Sequence, residues 1–290
     1  MKLTIFTPTY NRAYLLQNLY KSLSTQTNMD FEWIIVDDGS TDNTKDLVDK
    51  WIKKKTVKIK FFQQENGGKH RAINKGVKEA KGDLFFIVDS DDTLTSDAVE
   101  WITRESNEII HNPDFAGISG IRITPDGKKI GGGSDFGTID CNSIEIRLKY
   151  HISGDMSEVY KTSVLKEFPF PEIKGEKFCP EALVWFRIAR KYKMRFIHRG
   201  IYVGEYLPDG LTAKITRIRR ESPIASSTFY AEHFHDSISL KWKFKAAINF
   251  WRFQRAPYNR IYRMLNPLSL LGWLPGKIMR WKDSRIINLS

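Results

Sequence analysis

Three aspartates that follow a short apolar run are the residues of this chain with the clearest capacity for chemistry. Residues 84–88 are apolar, and Asp89, Ser90, Asp91 and Asp92 come directly after them. Because the run is β-branched and aromatic, it predicts a strand buried on both faces. Carboxylates this close repel one another unless a divalent cation and its anionic ligand neutralise them, and such oxygens suit Mg²⁺ or Mn²⁺. The pattern predicts a metal site; the alternative is an Asp-rich turn that caps the next helix.

Two further polar clusters follow predicted strands. Residues 7–11 (TPTYN) end the strand LTIFTPT, and residues 37–40 (DDGS) end FEWIIVDD. The carboxyl ends of parallel strands meet at one edge of a sheet, which is where such sheets bind ligands. We therefore expect the three clusters to form one site. A carboxylate there, from Asp37 or Asp38, can accept a hydrogen bond from a uracil imide N–H or a ribose hydroxyl, although part of this motif serves helix capping.

The elements that must position these residues alternate between strand and helix. This alternation over residues 1–125 predicts an α/β fold with a mostly parallel, Rossmann-like sheet flanked by helices. Further helices are predicted over 96–111 and 181–191, and residues 154–180 are rich in turn formers. Two helices have predicted core faces: Leu47, Val48, Trp51 and Ile52 in the second, and Ala182, Trp185, Phe186 and Ile188 in the helix over 181–191.

A fourth motif, NGGKHRAINKG at residues 66–76, places Lys69, His70 and Arg71 at the start of a predicted helix. Backbone N–H groups, the helix dipole and these side chains all favour a bound anion there. No GxGxxG follows the first strand and no GxxxxGK[ST] occurs, which argues against NAD binding and against a P-loop enzyme.

Taken in order, TPTYNR, DDGSTDNT, NGGKHRAINKG and VDSDD resemble the family 2 glycosyltransferases of GT-A fold. The resemblance covers residues 1–125 well and extends more loosely to residue 212, where GEYLPDGLT (204–212) resembles a segment that closes over the donor diphosphate. It implies an inverting transferase that uses a nucleotide-diphosphate sugar, most often UDP-linked, with Mn²⁺ or Mg²⁺.

The resemblance also implies roles for individual residues. Asp91 would ligate the metal, and Asp37 or Asp38 would contact the uracil. Asp89 would hold the ribose region, and Lys69 would lie near the base or phosphate. The nucleotide-sugar set as a whole is Thr7, Pro8, Tyr10, Asp37, Asp38, Lys69, Asp89 and Ser90.

The catalytic base of this family is an acid that precedes a Leu-Trp pair and an arginine. Aligning Trp185 with the family's tryptophan puts Glu181 at the base position and Pro180 where a second acid is usual. The alternative is that Glu181 only begins a helix, where acids are favoured.

The last fifty residues differ in charge from the rest of the chain. The net charge is +12, and residues 241–290 contain eleven Lys or Arg and a single acid, Asp283, among many aromatics. Such a segment suits an anionic membrane surface, and single-stranded nucleic acid is the rival partner. The glycosyltransferase resemblance favours the membrane and no nucleic acid. The two cysteines, Cys141 and Cys179, fit a reducing compartment, and no apolar window is long enough for a transmembrane helix.

These patterns together predict a GT-A domain over residues 1–215, with a nucleotide-sugar half (1–125) and an acceptor half (126–215), and a basic aromatic helical tail over 216–290. The predicted activity is transfer of a sugar to a saccharide or lipid-linked saccharide in bacterial surface polysaccharide synthesis. The predicted location is the cytoplasm, peripherally at the inner face of the cell membrane. A nucleotidyltransferase and a non-catalytic sugar-nucleotide or nucleic-acid binding module are the alternatives.

Overall fold

A computed structural model describes residues 2–204, 214–236, 238–255 and 267–287. The chain divides into two compact units. The first comprises Met1–Pro169 and Trp185–Glu205, and the second comprises Phe170–Val184 and Tyr206–Ser290. The domain limits predicted from the sequence, with their boundary at residue 215, stay a prediction.

The first unit is built on one sheet, which has nine strands in the described part of the chain. The main path of the sheet runs β3-β2-β1-β4-β8-β6-β9-β5, and β7 pairs with β9. The strands are β1 (Leu3–Thr9), β2 (Phe31–Asp37), β3 (Ile59–Gln63), β4 (Leu84–Ile87), β5 (Thr93–Leu94), β6 (Phe115–Ile123), β7 (Thr138–Cys141), β8 (Met156–Lys161) and β9 (Lys193–Val203).

The parallel character predicted for the sheet is confirmed. Strands β1, β2, β3 and β4 pair in parallel, and β6 pairs in parallel with β9. Strand β8 runs antiparallel between β4 and β6, so β4 and β6 point the same way. The short strands β5 and β7 are antiparallel to β9. As a result, the carboxyl ends of six strands lie on one side of the sheet.

Helices cover both faces of this sheet. The helices within the first unit are α1 (Ala13–Ser24), α2 (Thr44–Lys54), α3 (Lys69–Glu79), α4 (Ala98–Ser106), α5 (Glu145–Leu148) and α6 (Thr162–Glu167), while α7 (Glu181–Ala189) spans the boundary between the units. Leu16, Trp51 and Ile102 of three helices share a buried cluster with Ile5 and Phe86 of the sheet. Helix α3 lies on the opposite face, where a Cβ at Gly76 would come within 2.3 Å of the Phe6 ring. Successive residues of each central strand point to opposite faces of the sheet, and the side chains on both faces are therefore buried.

Several local predictions are wrong. The turn-rich interval 154–180 contains β8 and α6, and the helix predicted over 96–111 spans only Ala98–Ser106. Ile52 is 38% exposed, because it lies at the edge of the α2 face that Val48 and Trp51 define.

The buried face predicted for α7 is correct at Ile188 and wrong at the other three residues. Leu183, Val184 and Ile188 are buried, whereas Trp185 is half-buried and stacks on Tyr160 at 4.6 Å between ring centroids. Ala182 and Phe186, which were predicted to lie on the core face, are likewise only half-buried. Because α7 carries apolar residues on all of its sides, the spacing of these residues alone does not show which side is buried.

The second unit is helical. It contains α8 (Ile215–Glu221), α9 (Pro223–Glu232), α10 (Leu240–Phe253), α11 (Trp273–Ile287) and two 3-10 helices, His233–His235 and Pro267–Gly272. Helix α10 contacts α9, the second 3-10 helix and α11. The predicted C-terminal helical extension is confirmed. Among the residues described, no helix combines the length and the apolar composition needed to cross a membrane.

Candidate active site

The three polar strand ends predicted to converge do so. Thr9 at the end of β1 pairs with Asp37 at the end of β2, and the Asp38 N–H donates to the Thr9 carbonyl at 2.8 Å. On the other side of β1, the Val88 N–H donates to the Phe6 carbonyl at 2.8 Å. Because β1 lies between β2 and β4, the ends of these three strands form one polar edge.

The acids at the end of β2 are buried and satisfied within the protein. Both oxygens of Asp38 accept hydrogen bonds from the loop before α3: from Gln64 Nε2 (2.8 Å), Asn66 Nδ2 (3.2 Å), Gly67 N (2.9 Å) and Gly68 N (2.8 Å). Asp37 accepts from the Ser40 N–H at 2.9 Å and from Gln63 Nε2 at 3.1 Å. Asp38 thus fixes the loop that carries Lys69 toward this edge.

The loop after β1 is held by Asn11. Its backbone has φ 51°, a left-handed conformation that asparagine tolerates better than most residues. Its Oδ1 accepts from the Thr41 N–H at 2.8 Å, and its own N–H donates to Ser40 Oγ at 2.8 Å. These contacts tie the β1–α1 loop to the β2–α2 loop.

The predicted nucleotide-pocket residues of β1 and its loop differ in exposure. The Thr7 hydroxyl is buried and accepts from Trp33 Nε1 at 3.0 Å. Pro8 is half-buried, and Tyr10 is 49% exposed. Among these three residues, the Tyr10 ring is therefore the side chain most available to a ligand.

Lys69 lies at the first residue of α3 and forms an ion pair with Asp89, with 2.6 Å between Lys69 Nζ and Asp89 Oδ1. Burial alone would raise the pKa of Asp89, but Lys69 and Arg122 hold that pKa below its usual value. Asp89 is therefore an ionised carboxylate at the centre of the site.

Asp91 and Asp92 have raised pKa values, in contrast to Asp89. Burial and the negative charge of Asp89 raise the pKa of Asp91. The same two causes raise the pKa of Asp92 to about 7, against the effects of Tyr202 and Arg122. Ser90, between Asp89 and Asp91, is buried. Crowding among the three aspartates is therefore only partly relieved by the protein's own cations.

Two residues that the sequence did not single out support this turn. The Tyr202 hydroxyl donates to Asp92 Oδ2 at 2.7 Å and accepts from the Asp89 N–H at 3.0 Å. The Arg122 guanidinium lies 4.0 Å from the centre of the Tyr202 ring and 3.7 Å from Asp92 Oδ2. The alternative of a capping turn does not hold for Asp92, which accepts the Tyr202 hydrogen bond, while α4 begins after Asp97.

The position of both residues along the chain was a usable signal. Arg122 lies at the carboxyl end of β6 and Tyr202 at the carboxyl end of β9. Strand ends that point the same way meet at one edge, so the rule that united residues 7–11, 37–40 and 89–92 also applies to them.

The donor set fits a divalent cation that arrives with an anionic ligand. Within the described ranges, no group of three or more His, Cys, Asp or Glu side chains forms a metal cage. Mg²⁺ and Mn²⁺ are commonly bound by one or two carboxylates together with substrate phosphates. Asp91 is suited to this role, because a bound cation would offset the burial and the Asp89 charge that together raise its pKa.

Glu181 is the first residue of α7 and is half-buried. It belongs to the second unit, whereas the aspartates belong to the first. The segment predicted to close over the donor diphosphate, residues 204–212, lies outside the described residues except for Gly204. That glycine is buried against Asp92, since a Cβ there would come within 2.3 Å of Asp92 Oδ1.

Comparison with known protein families agrees with the fold and with this polar edge. The chain belongs to glycosyl transferase family 2, whose sequence model matches residues 4–151. The protein is thus a member of a family of glycosyl transfer enzymes, as the ordered motifs predicted.

Individual relatives are consistent with that membership. The chain is 30% identical over 207 residues to the GalNAc(5)-diNAcBac-PP-undecaprenol beta-1,3-glucosyltransferase of Campylobacter jejuni. The aligned region covers 70% of this chain and 64% of that protein. The chain therefore spans less than two thirds of the length of this curated relative.

Solved structures share the fold. Staphylococcus aureus TarS, residues 1–349 in complex with UDP-GlcNAc, superposes with a TM-score of 0.64 at 18% identity, covering 98% of this chain and 92% of that one. The mannosyltransferase PcManGT of Pyrobaculum calidifontis, in complex with GDP-Man and Mn²⁺, superposes with a TM-score of 0.56 at 17% identity, covering 97% and 87%. The GT-A type of α/β architecture predicted from the sequence is confirmed.

Proposed function

We propose that this protein is an inverting, metal-dependent glycosyltransferase. It would move a sugar from a nucleotide-diphosphate sugar of the UDP type to a saccharide or lipid-linked saccharide acceptor of a bacterial surface polysaccharide. The observation that carries the proposal is the crowded carboxylate turn of residues 89–92 beside Lys69, at the edge where β1, β2 and β4 end. The undecaprenol-linked substrate named for the Campylobacter relative and the UDP-GlcNAc bound to TarS support these classes of acceptor and donor.

The polar edge supplies the groups that a nucleotide diphosphate needs. The exposed Tyr10 ring would contact the base beside Thr7 and Pro8, and the uracil contact implied for Asp37 or Asp38 stays a prediction. Lys69 and the N-terminus of α3 favour negative charge near Asp89 and Ser90. These residues would orient the donor with its diphosphate toward Asp91.

Asp91 would hold the cation, either Mn²⁺ or Mg²⁺. When bound, such an ion would offset the negative charge that develops on the diphosphate leaving group. Lys69 is already paired with Asp89 at 2.6 Å, so Asp89 would act as an ionised carboxylate throughout.

The proposed chemistry is one displacement at the anomeric carbon. Glu181 would accept the proton of the acceptor hydroxyl as that oxygen attacks, and the bond from the anomeric carbon to the diphosphate oxygen would break. Attack from the face opposite the leaving group inverts the anomeric configuration. The role of Glu181 is supported by its match to the family's motif and by its place at the start of α7.

An enzyme with a lipid-linked acceptor would work at a membrane surface. The eleven basic residues of 241–290 favour peripheral association with the inner face of the cell membrane. This location agrees with the sequence expectation of a cytoplasmic protein.

A donor screen tests the proposal. UDP-, GDP- and dTDP-sugars are incubated with the protein and Mn²⁺, Mg²⁺ or EDTA, and release of the nucleotide diphosphate is measured. We expect release from one UDP-sugar with metal and almost none with EDTA. Metal-independent release, or release of pyrophosphate as a nucleotidyltransferase would give, contradicts the proposal.

A matched pair of variants tests the base. Glu181→Gln should lower kcat by about 100-fold or more at nearly unchanged donor KM, because it removes only proton transfer. Glu172→Gln alters an exposed acid of the same unit and should leave kcat unchanged. Equal activity of both variants would show that Glu181 is not the base.

A further inference from the structure

Helix α11 and the 3-10 helix before it turn two glycines and one aspartate inward and several large apolar residues outward. Gly272 and Gly276 face α10 so closely that a Cβ would come within 2.4 Å of the Ala247 backbone carbon and 2.6 Å of the Ile248 carbonyl oxygen. Seven residues beyond Gly276, about two helical turns on the same side, Asp283 is buried and accepts two hydrogen bonds from Arg252 at 2.7 and 2.8 Å. This seam, made of Gly272, Gly276 and Asp283, determines which side of α11 points outward.

The opposite side of α11 and of the 3-10 helix before it carries an exposed apolar stripe. Its members recur at helical spacing: Leu270 (65% exposed), Leu271 (64%), Leu274 (60%), Ile278 (47%) and Trp281 (54%). An amphipathic helix of a globular protein normally turns such a stripe toward the core. A contiguous exposed apolar surface of this kind marks an interaction site, whereas single exposed leucines do not.

Cations surround this stripe. Lys277, Lys282 and Arg285 are exposed on α11, and the Arg285 guanidinium lies 3.8 Å from the centre of the Trp281 ring. Helix α10 adds the exposed Lys241 and Lys245, and Lys245 Nζ lies 4.9 Å from the centre of the ring of Trp242, which is 48% exposed. The single acid of residues 241–290, Asp283, is buried against Arg252. The outward side therefore combines apolar and aromatic groups with positive charge and lacks an acid.

We propose that the apolar stripe of residues 270–281 is a docking surface for an anionic lipid bilayer, with its leucine and isoleucine side chains inserted and the surrounding lysines and arginines at the headgroups. Tryptophan at the border between apolar and polar groups suits the membrane interface, and the uncompensated cations suit anionic lipids. The proposal deepens the peripheral association proposed above and rests on it. It names the face that binds and predicts that the seam with α10 stays intact.

Vesicle binding of the full chain tests this surface. Leu274→Ser combined with Ile278→Ser should lower the affinity for phosphatidylcholine–phosphatidylglycerol vesicles by about tenfold or more, because both side chains leave water on insertion. Met29→Ser combined with Ile52→Ser alters exposed apolar residues of the first unit and should leave binding unchanged. Vesicles of phosphatidylcholine alone, or added salt, should weaken binding of the unaltered protein.

A second measurement needs no substitution. Brominated phosphatidylcholine in the same vesicles should quench the emission of exposed tryptophans such as Trp273 and Trp281. Absence of quenching, or equal vesicle affinity of the Leu274/Ile278 variant and the unaltered protein, would overturn the proposal. The proposal would also be overturned if sedimentation without lipid showed that the unaltered protein is a dimer and that the Leu274/Ile278 variant is a monomer, because the stripe would then join two copies of the chain. Neither assay includes a sugar donor, so vesicle binding without sugar transfer would contradict only the proposed function.

Discussion

Two pairs of adjacent aspartates lie at the same edge of the sheet, and the protein treats them in opposite ways. Asp37 and Asp38 end β2 and accept hydrogen bonds from neighbouring backbone and amide groups. Asp91 and Asp92 follow β4 and have raised pKa values, because burial and the charge of Asp89 disfavour their ionised forms. The first pair is compensated by the protein; the second would be compensated by a ligand.

The difference comes from what surrounds each pair. The loop of residues 64–68 provides backbone N–H groups and amides that point at Asp38, so that carboxylate organises the chain. The turn of residues 89–92 has one cation, Lys69, paired with Asp89. A second, Arg122, stacks on Tyr202 and lies 3.7 Å from Asp92 Oδ2, so it only partly offsets the pair. Identical residue types therefore serve folding at one strand end and, in the function proposed above, metal binding at the next.

The largest effect is expected for Asp91→Asn. The substitution keeps the shape of the side chain but removes a charge that the site only partly compensates, so stability should be unchanged or slightly higher. Loss of metal-assisted stabilisation of the leaving group should lower kcat by about 100- to 1000-fold. Thermal unfolding and donor turnover are measured on the same preparation. A lower Tm with normal turnover would reverse the roles assigned to the two pairs.

Asp38→Ala should affect stability instead. The change leaves four donors of the 64–68 loop without their buried acceptor, and we expect a loss of about 3 kcal/mol in the free energy of unfolding. Chemical denaturation measures this loss. As a control, Asp49→Ala removes an aspartate whose ion pair with Lys45 is on the surface, and its effect should be under about 1 kcal/mol. If the two variants were equally stable, Asp38 would not be structural.

Gly204→Ala should disturb the second pair through sterics alone. The added Cβ would come within 2.3 Å of Asp92 Oδ1, and we expect a loss of about 2 kcal/mol with a raised donor KM. Gly137→Ala is the matched control, because an added Cβ there meets no atom within 4 Å. If the two alanine variants had equal stability and equal donor KM, Gly204 would not hold Asp92 in place by close contact.

Tyr202→Phe should have the smallest effect. The ring that stacks under Arg122 remains, and only the hydroxyl that bridges Asp92 and the Asp89 N–H is lost. We expect about 1–1.5 kcal/mol of lost stability and a severalfold higher donor KM. Unfolding and donor kinetics report the two effects separately. An unchanged KM would limit Tyr202 to a structural role.

The parts of this site that depend on local patterns could be predicted from the sequence. Apolar runs in the sequence predict strands β1, β2 and β4, and the polar residues of the site come directly after these runs. The position of Lys69 at a helix start was equally local. The parallel order of these strands then required only the usual handedness of βαβ units.

The parts that depend on distant pairing could not. Strand β8 is placed by its neighbours β4 and β6, and its sequence, MSEVYK, lacks the apolar run of a central strand. The bridge from Tyr202 to Asp92 joins residues 110 positions apart. In the second unit, the spacing of apolar residues predicted a helical tail. The close approach of Gly272 and Gly276 to α10, together with the Arg252–Asp283 pair, determines that the stripe of α11 faces outward.

Metal-dependent nucleotide binding tests the central claim most directly. Calorimetric titration of UDP into the protein is carried out with Mn²⁺, with EDTA and with the Asp91→Asn variant. We predict saturable binding with Mn²⁺ that weakens at least about tenfold with EDTA and to the same extent in the variant. Equal affinity under all three conditions would contradict the assignment of the Asp89–Asp92 turn as the site that holds a metal-bound diphosphate.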